Sequence, residues 1–123
     1  MRFRLALLAL TVFAPAAQAA DAKAGKAFFK DQCLVCHSAA PDDNGGAQGP
    51  LLYGIIGRAS AGDRTFGYTK AMKKANLVWD AKLLDKFLTN PPALVRGTAM
   101  VAIVADQKDR DNLIAYFQSL PKP

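Results

Sequence analysis

The chain has 123 residues, with sixteen Lys and Arg against ten acids, all of them Asp, and a formal net charge of +6. That length excludes two independent cores. The lysines are scattered and no basic run is interleaved with aromatics, which excludes a nucleic-acid footprint.

The first twenty residues are MRFRLALLALTVFAPAAQAA. Two arginines precede an apolar run from Leu5 to Phe13, Pro15 ends it, and Ala17 and Ala19 are small residues flanking Gln18. This is the layout of a secretory signal peptide. The run is short for a bilayer span, which takes about 20 apolar residues, so an uncleaved anchor is the weaker alternative. Residues 1–19 are therefore expected to be a cleaved signal, leaving one domain over 20–123. That mature chain carries fourteen basic residues against ten aspartates, a net charge of +4. A mildly basic surface suits weak docking onto an acidic protein partner, or is simply solvated.

Four helices are predicted in chain order. Residues 21–33 place Gly25, Phe28, Phe29 and Cys33 near one helical face. Residues 38–50, SAAPDDNGGAQGP, hold two prolines, three glycines and two aspartates and read as a loop. Residues 68–75 suggest a short helix. Residues 80–90 set Leu83, Leu84, Phe87 and Leu88 at helical spacing behind Asp80 as an N-cap. Pro91 and Pro92 then stop that helix, and residues 90–104 should be extended and irregular. Residues 106–120 carry Leu113, Tyr116, Phe117 and Leu120 on one face, with three aspartates in the first turns. No strand pairs convincingly. The fold class is all-α, three to four short helices and much loop. So small a domain often needs a staple or a cofactor at its centre.

The stretch CLVCH holds both cysteines, Cys33 and Cys36, and the only histidine, His37. Structural zinc takes four protein ligands, and only three are here. A thioredoxin-type dithiol belongs beside a βαβ pattern, which is missing. A disulfide would close a tight ring and leave His37 without a role. Covalent haem uses all three residues: the thiols add to the two porphyrin vinyl groups, and the next residue becomes the fifth iron ligand. Export agrees, because this attachment occurs outside the cytoplasm. With a single histidine, a sixth ligand would be a methionine. Met1 leaves with the signal. Met72 lies in a predicted helix, whereas Met100 lies in the strap NPPALVRGTAMVAIV, which has more freedom to aim a thioether at iron. Met100 is the favoured ligand, and Met72 is then core filler.

CLVCH, Gly49-Pro50, GIIGR at 54–58, Tyr68, Trp79, NPPALVRGTAM and the terminal NLIAYFQSL together resemble a class I c-type cytochrome of the mitochondrial type. The likeness spans nearly the whole mature chain, with the motifs in order. It implies the cytochrome c fold around one haem c. It further implies that the Pro50 carbonyl orients His37, and that Arg58, Tyr68 and Trp79 surround the haem propionates. The plainer roles are a solvated Arg58 and core aromatics. The resemblance also implies that Gly25 and Phe29 pack against Leu113 and Tyr116 where the first and last helices cross. Phe87 stands where many relatives carry a tyrosine, and Met72 where an asparagine is common. Arg96 replaces a proline, and Pro92, Ala93 and Ala99 occupy places often held by lysine.

Two protein axial ligands leave no open position for a substrate, so the expected function is non-enzymatic. It is a soluble, monomeric periplasmic carrier of single electrons between transiently docked redox proteins, without stable membrane insertion. The alternative is a haem-based ligand sensor or weak peroxidase whose Met100 is displaceable. A non-haem metal or dithiol module is a third.

Overall fold

The computed structural model describes residues 18–43, 45, 46 and 48–122. Most of the expected signal, residues 1–17, lies outside them.

Helix α1, Ala22–Phe28, begins where Asp21 caps it: its carboxylate accepts from the backbone N–H groups of Lys23 at 2.8 Å and Ala24 at 3.2 Å. The helix then widens into a π-helical turn, Phe29–Cys33, closed by Leu34 N–H donating to Phe29 O at 2.9 Å. Helix α2, Lys70–Lys74, is shorter than the 68–75 expected, because Thr69 caps it, accepting from Met72 N–H at 3.2 Å. Helix α3, Ala81–Thr89, starts behind Asp80, which accepts from Leu83 N–H at 2.7 Å. The extended expectation for 90–104 is corrected over its first part. Pro91–Leu94 forms a helical turn, α4, capped by Asn90. Proline ends α3 and then occupies the first position of α4, where its missing N–H costs nothing. Helix α5, Gln107–Ser119, starts from Asp106. The only pairing of extended backbone among the described residues is an isolated antiparallel bridge between Ala59 and Val78. The class is all-α.

Helices α1 and α5 cross at Gly25. A Cβ there would lie 1.9 Å from the Asn112 carbonyl oxygen, so only glycine permits this approach. Phe29 and Leu113 are fully buried at the crossing, and the Phe29 ring lies 5.8 Å from that of Tyr116 and 6.0 Å from that of Phe117. Asn112 adds a polar tie, accepting from Asp21 N–H at 2.7 Å. The core continues through Ile55, Met72, Trp79, Leu84, Phe87, Leu88, Val95 and Val104. Cys33, Leu52, Tyr68, Leu94 and Met100 pack against it while staying partly exposed. One core thus spans both the CLVCH turn and the strap.

Candidate haem site

Cys33 ends the π-helical turn, and the chain turns tightly after it. The N–H groups of Cys36 and His37 both donate to Cys33 O, at 3.0 and 2.9 Å. Two thiols and an imidazole are therefore held on one compact turn. Burial, and then the neighbouring Cys36, push the Cys33 thiol up to about 11. A redox dithiol needs the opposite, a depressed thiol. Among the described residues no three His, Cys, Asp or Glu side chains converge as a metal-ligand group. The raised thiol weighs against the dithiol reading.

The loop after His37 folds back over the turn. Gly46 N–H donates to Leu34 O, Gly49 N–H to Cys36 O and Leu52 N–H to Ser38 O, at 2.9, 2.9 and 2.7 Å. Asp43 holds the loop's start by accepting from Ala39 and Ala40 N–H, both at 2.8 Å. This brings Pro50 O to 2.7 Å from His37 Nδ1. A carbonyl can only accept, so Nδ1 carries the proton and Nε2 keeps its lone pair. Burial pushes the imidazole below its ordinary value, against a smaller upward pull from Pro50. The ring is thus neutral at pH 7 with one fixed tautomer, as a metal-ligating histidine requires. Gly49 flanks the ring so closely that a Cβ would lie 2.3 to 2.7 Å from Cε1, Nδ1 and Nε2.

Arg58 and Trp79 are joined through the isolated bridge. Trp79 N–H donates to Arg58 O at 2.9 Å, and Gly57 N–H to Trp79 O at 2.7 Å. The Arg58 guanidinium donates to Tyr53 O at 3.2 Å and to Leu51 O. Its Nε is buried and has no partner among the described residues. Tyr68 joins the same region through Asp63. The tyrosine hydroxyl accepts from Asp63 N–H at 3.3 Å, and the Asp63 carboxylate accepts from Leu51 N–H at 2.8 Å. Burial pushes the Asp63 carboxyl up, but bonds from Thr65 and Leu51 and the Arg58 charge more than reverse this. The structure therefore gathers Arg58, Tyr68 and Trp79 around the 51–63 segment. Asp63, which ties Tyr68 to Leu51, was not singled out in the sequence; its only signal was the turn-forming run Gly-Asp-Arg-Thr.

Met100 sits on the strap after α4, with its N–H donating to Thr98 Oγ1 at 3.3 Å. Met72 is 7% exposed within the core. Phe87 is buried against Trp79, ring centroids 5.0 Å apart.

These residues fit a haem. A donor-ready imidazole nitrogen, two thiols on the preceding turn, and a buried unpaired guanidinium N–H suited to a carboxylate are the donor set such a group needs.

Comparison with known proteins gives the same direction. The cytochrome c family matches residues 22–121. Cytochrome c of Euglena viridis is 41% identical over 101 residues, 81% of this chain and 97% of the relative. Cytochrome c2 of Blastochloris viridis is 40% identical over 117 residues, 94% and 89% of the two chains. Cytochrome c2 of Rhodomicrobium vannielii is 38% identical over 109 residues, 88% and 86%. A match of this extent, over a turn built for thioether attachment, makes the chain a member of the cytochrome c family of electron carriers, whose haem c is bound covalently through cysteines, here Cys33 and Cys36.

Proposed function

We propose that the protein is a periplasmic, monomeric one-electron carrier in which His37 and Met100 would hold the haem iron. The observation that carries this reading is the tautomer of His37: Nδ1–H donates to Pro50 O, which leaves the Nε2 lone pair available to bind a metal. When bound, haem c supplies a ferric/ferrous couple that gains and loses single electrons. The chain's part is to orient the ligands, exclude water and balance charge. His37 is oriented by Pro50 and packed against Gly49. Arg58, Tyr68 and Trp79 form the polar wall, and the unpaired Nε of Arg58 is the group that would receive a propionate. Met100 is carried by a strap free of helical constraint, whereas Met72 is fixed in α2 and buried.

The N-terminal signal pattern and attachment outside the cytoplasm support a periplasmic location. No helix of the described residues is long and apolar enough to cross a membrane. Encounters with partners should be brief and salt-sensitive, as a shuttle requires.

The test is the absorption spectrum of the exported protein, ferric and ferrous, once acid solvent has been shown not to extract the haem. A six-coordinate low-spin spectrum with a weak red sulfur-to-iron band is expected. Met100→Ala should abolish that band and Met72→Ala should keep it; the reverse result would reassign the ligand. One observation favours a second reading, the ligand sensor or weak peroxidase. Phe87 has no hydroxyl to offer the methionine sulfur, so that ligand has one fewer holding bond than a tyrosine there could give. Fast carbon monoxide binding to the reduced protein would move this reading forward.

A further inference from the structure

We propose that Arg110 is a positioning residue for the strap that carries Met100, and so sets how readily that methionine yields the sixth iron position. The inference rests on the His37/Met100 reading above.

Between Met100 and Val104 the strap has little to hold it. Val101 and Ile103 are 74% and 60% exposed, and Ala102 is exposed as well. Among the described residues none of these three makes a hydrogen bond. The strap's placement therefore falls to its ends. At the near end Thr98 N–H donates to Val95 O at 3.0 Å, and the Thr98 hydroxyl accepts from Met100 N–H. At the far end Val104 is buried, and its N–H donates to Leu88 O at 2.8 Å.

The carbonyls of that far end are taken by Arg110. Nη1 donates to Val104 O at 2.7 Å and to Ala105 O at 2.8 Å. Nε donates to Asp85 Oδ1 of α3 at 2.8 Å, and Nη2 donates to Gln107 Oε1. Gln107 in turn donates to Asp85 at 3.0 Å and to Asp111 at 2.8 Å. An arginine only 6% exposed thus joins the strap, α3 and α5. Two residues further along, α5 meets α1 at the tight Gly25 crossing, so the strap is tied to the best-packed part of the molecule. Arginine suits this junction because its planar fork reaches two adjacent carbonyls and a carboxylate at once; a lysine ammonium is a single point of donation.

The plainer role is that Arg110 merely staples α5 to α3, in which case its loss loosens the whole fold evenly. The holoprotein separates the two roles. Arg110→Lys, Arg110→Gln and Asp85→Asn would be compared with Phe117→Leu, which weakens the packing of α5 on the Phe29 ring. Two quantities are read: amide hydrogen exchange at Val104 and Leu113, and the affinity of added imidazole for the ferric iron, from the visible spectrum. In Arg110→Gln, Val104 exchange should speed about tenfold relative to Leu113, and imidazole should bind about tenfold more tightly, the scale of a lost charged hydrogen bond. Arg110→Lys should fall between wild type and Gln. Asp85→Asn, which leaves both strap carbonyls bonded, keeps the comparison open if the Arg110 variants fail to fold, and should shift both readouts in the same direction by less. Equal loosening of Val104 and Leu113, or imidazole affinity no higher than in Phe117→Leu, overturns the proposal. A wild-type protein without the red band would instead refute methionine ligation, and the exchange ratio alone would then decide whether Arg110 anchors the strap.

Discussion

His37 Nδ1 donates to the Pro50 carbonyl at 2.7 Å, and the residue that lets the two meet, Gly49, has no side chain to place between them. A Cβ on Gly49 would fall 2.3 Å from the ring's Cε1. Either the imidazole or the loop must then move. Gly49→Ala should cost about 1–3 kcal/mol, the usual range for overpacking, and should lower the yield of haem-loaded protein. The check is haem content per polypeptide together with urea unfolding of the loaded fraction. Normal loading at unchanged stability would show that the loop shifts without strain.

The Gly25 crossing is stricter, because the obstacle is backbone. An added Cβ meets Asn112 O at 1.9 Å and Leu113 N at 2.9 Å. Backbone of one helix cannot yield as a flexible side chain can. Gly25→Ala should cost about 3 kcal/mol or more, at or above the top of the overpacking range, despite alanine's higher helix propensity. Thermal unfolding read by far-ultraviolet circular dichroism measures it. Because α5 also carries Arg110, this variant should release the strap together with the helices.

Arg58 bears on the reduction potential. Its Nε is buried and unpaired among the described residues, which suits a buried anionic group. Removing a positive charge near the iron favours the more positive, ferric state. Arg58→Gln should therefore lower the midpoint potential by tens of millivolts, the scale of a unit charge worth on the order of 1 kcal/mol. A redox titration against mediators reads this directly. An unchanged potential would place Arg58 outside the charge balance of the haem.

What the sequence disclosed and what it hid follow a physical line. Helix starts were legible because caps are local: Asp21, Asp80 and Asp106 each accept from a backbone N–H two or three residues ahead. CLVCH was legible because attachment chemistry needs its thiols and imidazole side by side. The π-helical turn before Cys33 was not, since nothing in Phe-Lys-Asp-Gln-Cys distinguishes a wide turn from an α turn. Helix α4 has a local signal too, because Asn90 before two prolines is a cap followed by proline at the first position; the same prolines also stop α3, and that role masks the new start. The Arg58–Trp79 pairing spans 21 residues and depends on a bridge too short to leave an alternating pattern. Arg110 stood in a run of charged residues, and its burial is set by Val104 O and by Asp85, which is 25 residues away.

The Asp85–Arg110 pair also has a signature in acid. The bond from Arg110 holds the Asp85 carboxyl below the usual carboxylate range, with burial opposing and Gln107 assisting. The folded protein therefore binds this proton less readily than the unfolded chain, where an aspartate titrates near about 3.9. Stability from the pair is complete above that value and is lost as pH falls through the lower, folded one. Asp85→Asn cannot take up this proton. The stability difference between wild type and Asp85→Asn should hold steady from neutral pH down to about 5, then shrink toward pH 2 as the wild-type carboxylate is protonated. Urea midpoints of both proteins across this range supply the test. Because both chains share every other titrating group, the remaining titrations largely cancel in the comparison. A difference that stayed constant to pH 2 would mean that Asp85 contributes through its shape and neutral hydrogen bonds rather than its charge.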